Sequence, residues 1–321
     1  MSRWFPQVGE KAEESGQGSG VSAGGRSGSP IGLVSLVQVV AVTLVVTGAS
    51  GLVGSALTRT GDVKGLERAV LDITDADSIE RMMDVHAPSA VINAAAQAGV
   101  DRADREPDHT RKVNALAVGS LAASCSRHGV RLVHLSTDYV LDYPDEDRLT
   151  EDLSPNPRSV YARTKHEGEQ LALQHGAVVA RLQWVFHPGE RGFFNYALSQ
   201  MRIGKRVRLV TDQIGCPTPA QSLAPILIEM ARSGPAGLFH VATQGEATAW
   251  QWIEAGAEAL GVNFRADSAS RSDFDGAHRP ARSCLDSSKL KAAWALELPD
   301  WRTALQTVCV SDDRMEDGVA T

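Results

Sequence analysis

The stretch that most constrains this chain is Val42 to Gly54, V-T-L-V-V-T-G-A-S-G-L-V-G, a β-branched and apolar run ending in glycines at 48, 51 and 54. Such a run before a glycine turn suits a strand buried on both faces of a parallel sheet. The glycines then have separate uses. Gly48 permits a sharp turn, Gly51 lets backbone approach a pyrophosphate carried at the next helix's N-terminus, and Gly54 lets that helix pack closely on the strand. The spacing is T-G-x-x-G-x-x-G rather than G-x-G-x-x-G, and an ordinary glycine-rich turn is the competing reading. The apolar strand before it and the helical pattern after it, Leu52, Val53, Ala56 and Leu57, favour a dinucleotide site.

Strand and helix signals alternate from there. A short strand is expected over Ala69 to Ile73, then a helix capped by Asp75 and running to His86. Ser89 to Ala96 reads as a buried strand entering a small-residue turn, which leaves room for a ligand at the carboxyl edge of an open sheet. A single helix over Asp108 to Arg127 contains Asn114, and Arg131 to Leu135 is the next strand. Val160 to His175 is helical and Val178 to Leu182 is again a strand. This alternation predicts an α/β fold, a doubly wound parallel sheet of the Rossmann type with right-handed crossovers. Beyond Trp184 the pattern loosens into shorter helices (Phe193 to Gly204, Gln221 to Arg232, Ala249 to Leu260), which predicts a smaller C-terminal substrate-binding lobe. The expected organisation is a disordered extension over 1–41, a dinucleotide-binding domain with the catalytic residues over 42–184, the lobe over 185–308 and a flexible tail over 309–321.

The 321 residues include 43% hydrophobic ones, enough for a substantial core. A net charge of -7 argues against a nucleic-acid partner, whose phosphates call for clustered Lys and Arg. The four cysteines are far apart without a C-x-x-C, so neither a zinc site nor a disulfide framework is indicated, and a cytoplasmic location fits. Residues 1 to 30 are Gly- and Ser-rich. Ile31 to Val46 is apolar but interrupted by Ser35, Gln38 and Thr43, short for a bilayer span, and preceded by Glu10, Glu13 and Glu14 where a signal wants positive charge, so no membrane partner is expected. The first 40 or so residues read as a dispensable extension, an upstream misassigned start.

Tyr161 and Lys165 are four apart on an expected helix and project from one face. An ammonium beside a phenol lowers the phenol's pKa and makes it a usable proton donor. A surface helix pair with no role is the bland alternative. The strand end before it, Leu135-Ser136-Thr137-Asp138-Tyr139, raises the pair above chance by placing hydroxyls at the sheet's carboxyl edge. His134, within a strand, reads as a packed histidine. His86, His128 and His175 sit near helix ends, where a cation suits the dipole. The acidic run Asp145, Glu146, Asp147, Glu151 and Asp152 reads as a solvated loop, and no metal is expected.

These segments resemble the extended short-chain dehydrogenase/reductase family and, within it, the dTDP-4-dehydrorhamnose reductase family. The resemblance is carried by T-G-A-S-G-L-V-G at 47–54, L-D-I-T-D at 71–75, N-A-A-A at 93–96, V-D-x-A-D at 100–104, S-T-D-Y-V-L-D at 136–142, Y-x-x-x-K at 161–165 and Q-W-V-F at 183–186. It continues through D-Q-I-G-C-P-T at 212–218, R-P-A-R-S-C-L-D-S-S-K-L at 279–290 and L-P-D-W at 298–301. The resemblance implies NAD(P)H-dependent reduction of the C4 ketone of a dTDP-4-keto-6-deoxyhexose. Gly48, Gly51, Leu52, Val53 and Gly54 would then line the pyrophosphate turn, Asp72 and Ile73 the adenine, and Ala96, Gln97 and Ala98 the nicotinamide side. Tyr161 would donate the proton, Lys165 would hold the nicotinamide ribose and tune Tyr161, and Thr137 would bond the ketone oxygen. Asp138 and Trp184 would contact the sugar, and Asn114 would support the site from its helix.

The chain departs from the family at Ala98, where threonine is usual, at Gln183, where a small hydroxyl residue is usual, and at Tyr143, where glycine is common. The segment from Gly54 to Asp72, where cofactor choice is read, is also short. Arg59 and Arg68 are the candidates for a 2′-phosphate, so NADPH is favoured, with NADH the alternative. A homodimer is compatible with the resemblance. Two rival functions stay open: an epimerase or dehydratase of the same superfamily, and a non-catalytic regulatory subunit that keeps the fold.

Overall fold

The computed structural model describes residues 43–316, so the expectations for the first 42 residues lie outside the described part. The central sheet is parallel throughout and is built from β1 (Leu44–Thr47), β2 (Val63–Leu66), β3 (Ala90–Asn93), β4 (Arg131–Thr137) and β5 (Val178–Leu182). Four short strands follow, β6 (Val185–Phe186), β7 (Val207–Val210), β8 (Ile214–Gly215) and β9 (Thr218–Pro219). β10 (Gly237–Val241) then returns to pair with β5, which gives the order β10-β5-β4-β3-β1-β2. The doubly wound sheet is therefore present, and its sixth strand comes from inside the segment read as mainly the substrate-binding lobe. The last strands, β11 (Ala247–Thr248) and β12 (Ala266–Ala269), pair with β8 and β7.

The chain runs from β1 outward to β2 and then crosses to β3 on the other side of β1, so the crevice between β1 and β3 is the switch point where such sheets bind ligands. Both faces of the strands are covered. Leu44 and Val46 pack under α1 (Leu52–Thr58) and α8 (Ala220–Arg232). Val45 faces the core of α2 (Ala76–His86) and α5 (Ala117–Arg127) on the opposite side. Hence β1 reads as continuously apolar instead of alternating.

The second strand lies earlier than expected. Val63-Lys64-Gly65-Leu66 pairs with β1, whereas Ala69 to Ile73 forms no strand. An edge strand of four residues with only Val63 and Leu66 buried carries little periodic signal. Leu71 and Ile73 are buried beneath the same sheet face, and Asp72 between them turns the chain by accepting from the Thr74 N–H at 2.9 Å. The long helix expected over 108–127 is broken into α4 (Pro107–Arg111), a π-helical turn over Lys112–Leu116 and α5, and α3 (Val100–Arg105) precedes them. Asn114 sits in that π turn.

α6 (Val160–Gln174) is the expected catalytic helix, N-capped by Ser159, whose hydroxyl accepts from the Ala162 N–H at 3.2 Å. α7 (Phe193–Arg202), α9 (Ala249–Ala259) and α11 (Trp301–Glu316) enclose a further core around Phe186, Phe194, Trp252 and Trp301. α10 (Ser288–Trp294) packs back on the sheet through Leu290. The backbone is helical to Glu316, beyond the point after Val310 where composition favoured an irregular tail. Among the described residues no helix is long and apolar enough to cross a membrane.

Candidate active site

The turn after β1 has the geometry its glycines imply. Gly48 has φ 67°, and a Cβ there would lie 2.7 Å from the Ala95 nitrogen. A Cβ on Gly54 would lie 2.2 Å from the Gly48 carbonyl oxygen, so this glycine closes α1 onto the turn. Gly51, Leu52 and Val53 line a cavity of about 1110 Å³ that runs along the carboxyl edge of β1, β3 and β4. Ala94, Ala96 and Ala98 form its wall on the β3 side. Asn114 fixes that wall: its Oδ1 accepts from the Gln97 N–H at 2.8 Å while its Nδ2 donates to the Gln97 carbonyl at 3.1 Å. This two-way clamp is the support expected of Asn114. It is possible because Gly168 on α6 lets the helix approach; a Cβ there would meet the Asn114 carbonyl oxygen at 2.2 Å.

Asp72 and Ile73 do not line this cavity. Ile73 is buried in the core, and Asp72 accepts from both the backbone and the hydroxyl of Thr74. The Thr74 N–H is the main reason the Asp72 carboxyl sits below its ordinary pKa. Arg59 is committed to Glu190 and His187, whereas Arg68, two residues beyond the end of β2, is exposed and only 3.6 Å from Asp72. Gln97 is fixed through its backbone, and its side-chain Nε2 is buried without a partner.

Thr137, Tyr161 and Lys165 meet at the same edge and all line the cavity. Burial pushes the Tyr161 phenol up to about 12, partly offset by the Thr137 hydroxyl, so at neutral pH it is protonated. The expected lowering by Lys165 is absent from this arrangement. Lys165 Nζ turns to the sheet, donating to the Leu135 carbonyl at 2.5 Å, and lies 3.5 Å from His134 Nε2. Burial brings Lys165 down to about 8, with Glu169, one turn along α6, opposing that shift.

His134 is packed, as expected, but it is also wired. Thr47 on β1, Asn93 on β3 and His134 on β4 stand at one register across three strands. Thr47 Oγ1 donates to Asn93 Oδ1 at 2.6 Å, and Asn93 Nδ2 donates to His134 Nδ1 at 3.1 Å. Because Asn93 Oδ1 also faces the Ala95 N–H at 3.3 Å, this amide orientation is set, and the His134 proton is assigned to Nε2. Burial first, and Lys165 second, hold His134 neutral.

Asp138 is only 2% exposed and lies behind Thr137. Thr137 Oγ1 donates to its Oδ1 at 3.1 Å, and Ser283 Oγ donates to its Oδ2 at 2.6 Å. Gln183, one of the departures from the family pattern, is buried behind the cavity. Its Nε2 bonds the Ser283 hydroxyl at 2.7 Å and the Ser283 carbonyl, and its Oε1 accepts from the Leu285 N–H at 3.3 Å. Burial raises Asp138 to about 7 against these hydrogen bonds. Trp184 lines the cavity in a left-handed backbone conformation, φ 39°, with its indole against Gly215. A non-glycine residue held there is a strained position of the kind that clusters at sites. Tyr143 donates to the Ser154 carbonyl at 2.5 Å and shapes the loop rather than the cavity.

Sequence reasoning assigned no role to the segment after β12. Its residues Phe274, Gly276 and His278 line the cavity, in a segment fastened where Arg279 donates to Asp101 at 2.7 Å and the Ala277 N–H donates to Asp101 at 2.8 Å. The R-P-A-R-S-C-L-D stretch was visible as a motif, but nothing in it shows that Ser283 reaches Asp138. The acidic loop forms no metal cluster among the described residues, and Glu151 instead accepts from the His240 N–H at 2.7 Å. Cys125, Cys216 and Cys284 are buried and outside any disulfide.

A parallel doubly wound sheet with a glycine turn at its switch point, and a hydroxyl, a Tyr-x-x-x-Lys pair and a wide cavity at one edge, define an extended short-chain dehydrogenase/reductase. The chain belongs to the family whose model is described as "RmlD substrate binding domain", which matches residues 42–313. A dTDP-4-dehydrorhamnose reductase of Mycolicibacterium smegmatis is 35% identical over 281 residues, covering 84% of this chain and 85% of that protein. A solved dTDP-4-dehydrorhamnose reductase of Clostridium acetobutylicum superposes with a TM-score of 0.78 at 25% identity, over 85% of this chain and 99% of that one. One from Bacillus anthracis, solved in complex with NADP, gives a TM-score of 0.80 at 24% identity over 84% and 99%, a likeness of fold.

Proposed function

We propose that this protein is an NADPH-dependent reductase of the C4 ketone of dTDP-4-dehydrorhamnose. The observation that carries the reading is the meeting of Thr137, protonated Tyr161 and Lys165 at the cavity that the glycine turn enters. The cradle fits a dinucleotide: Gly51 is left without a side chain at the turn, the alanines of 94–98 keep the wall low, and the Gln97 amide beside it is unpartnered. When bound, the nicotinamide supplies the hydride. Tyr161 gives its phenolic proton to the ketone oxygen as negative charge develops there, and Thr137 bonds the same oxygen. Lys165 would exchange the Leu135 carbonyl for a ribose hydroxyl of the cofactor and put a positive charge beside the phenolate that Tyr161 becomes. Trp184 presents its indole to the sugar from the opposite wall. Arg68 is the better 2′-phosphate ligand because it is the more exposed and its 3.6 Å contact with Asp72 is looser than those that hold Arg59, while Glu67, just after β2, leaves room for NADH. The buried thiols of Cys125, Cys216 and Cys284, outside any disulfide, agree with a cytoplasmic site of action.

The test is oxidation of NADPH by the purified protein with dTDP-4-dehydrorhamnose, beside Tyr161→Phe. Turnover that falls by about 10² to 10⁴ in the variant, with cofactor affinity unchanged, supports the reading. Equal turnover in the two proteins, or cofactor binding with no oxidation by either, overturns it. The second outcome is the one a non-catalytic subunit would give.

A further inference from the structure

We propose that Asp138 acts as a neutral acid that aims the Thr137 hydroxyl at the substrate ketone, and that Ser283 and Gln183 are the positioning residues that hold its carboxyl. This rests on the ketone-reductase reading and deepens it.

The Thr137 hydroxyl has a single proton. In the arrangement seen, Thr137 Oγ1 donates to Asp138 Oδ1 and accepts from the Tyr139 N–H at 3.2 Å. A hydroxyl committed in this way cannot also donate to a ketone oxygen. Protonation of Asp138 on Oδ1 reverses the contact: the acid donates to Thr137 Oγ1, and the threonine proton is freed toward the cavity. The side of the carboxyl that takes this proton is decided by Ser283. Gln183 Oε1 is engaged by the Leu285 N–H, so its Nε2 faces Ser283 Oγ, and the Ser283 proton has to point at Asp138 Oδ2. Oδ2 is thereby kept an acceptor and Oδ1 is left as the oxygen that gains or loses the proton.

Nothing around Asp138 forces it to ionise. Its hydrogen bonds come from three neutral groups, Thr137 at the end of β4, Gln183 after β5 and Ser283 from the 279–286 segment. The phenols of Tyr139 and of Tyr161 on α6 lie beside it and are themselves held protonated by burial. The cations of the packed elements are engaged elsewhere: Lys165 with Leu135, Arg279 with Asp101 and Arg282 with Glu246. Burial without a counter-charge is the condition that keeps a carboxylic acid neutral near pH 7.

The test combines kcat/KM for ketone reduction from about pH 5.5 to about 9 with a carbon-13 titration of the Asp138 carboxyl in the cofactor-free protein, assigned by its loss in Asp138→Asn. Wild type should lose about tenfold per pH unit above about 7, and the carboxyl signal should titrate at the same point. Ser283→Ala removes a donor to the carboxylate and should move both midpoints up by about one unit, while Ser283→Thr should restore them. In Asp138→Asn the limb that sets in near 7 should vanish, because an amide can donate to Thr137 at every pH, and only the fall above about 8, where Lys165 loses its proton, should remain. A limb near 7 that survives in Asp138→Asn, or that stays in place in Ser283→Ala while the carboxyl signal moves, overturns the proposal. Absence of ketone reduction in wild type would instead count against the reductase reading, and the carboxyl titration would still report whether Asp138 is neutral near pH 7.

Discussion

Glu169→Gln is the substitution whose effect the structure specifies most closely. Arg181 on β5 and Glu169 on α6 form a two-pronged ion pair, Nε to Oε1 and Nη2 to Oε2, both at 2.8 Å. The two side chains are 1% and 2% exposed. Glu169 is held down to about 2 from an ordinary 4.5; burial alone would raise it, and Arg181 and His166 more than reverse that. A difference of about 2.5 units corresponds to about 3 kcal/mol. Removing one partner of a buried pair independently leads to about 3–5 kcal/mol, because the other charge stays buried. Glutamine keeps the shape but turns an N–H toward the guanidinium, and His240, 3.3 Å from Arg181 and neutral by burial, offers no charge in exchange. Urea unfolding at pH 7 should therefore show a loss of about 3–5 kcal/mol at unchanged slope. Since the folded pKa is depressed, the wild-type advantage is complete above 4.5 and disappears as pH falls toward 2. Adding Arg181→Met should recover most of the loss, as an apolar pair needs no counter-charge. A loss below about 1 kcal/mol, or no recovery in the double variant, would refute the reasoning.

Other consequences are as direct. Lys165→Met should abolish reduction yet stabilise the fold by about 1–3 kcal/mol at pH 7, since a lysine brought down to about 8 destabilises the folded state below that pH; unfolding curves with and without the substitution check it. Gly54→Ala forces a Cβ to within 2.2 Å of a backbone oxygen and should destabilise by about 3 kcal/mol or more, with cofactor binding lost alongside, as calorimetry would show. Arg68→Ala should raise the Kd for NADPH several-fold and leave that for NADH unchanged, whereas Arg59→Ala should change neither preference; titration with each cofactor decides it.

Much of this was legible in the sequence because it rests on local chemistry. The β1 turn was readable from Gly48 and Gly54, each of which has a steric reason to be glycine. Asp75 marked the start of α2, and the Tyr161 and Lys165 spacing put both on one helix face. What escaped has physical causes. β2 is an edge strand with two buried residues, so the more apolar Ala69 to Ile73 stretch outweighed it, although tertiary packing uses Leu71 and Ile73 as core without a strand. The π turn that presents Asn114 depends on Gly168 of another helix. Gln183 and Ser283 are 100 positions apart, and Ser283 and Asp138 are 145 apart, so no window of sequence shows that they share a carboxylate. Lys165 illustrates a subtler limit: its spacing from Tyr161 is as expected, yet its ammonium turns to Leu135 and leaves the phenol to be governed by burial.

Reduction of a ketone at C4 of a dTDP-sugar would take its hydride from the nicotinamide and its proton from Tyr161, at the edge formed by Thr137, Tyr161 and Lys165. It is tested most directly by supplying NADPH deuterated at C4 of the nicotinamide together with dTDP-4-dehydrorhamnose, and reading the product by proton NMR. The account predicts one deuterium at C4 of the sugar and none elsewhere, with label transfer lost in Tyr161→Phe. Unlabelled sugar in the presence of bound cofactor, or label at any other carbon, would contradict it.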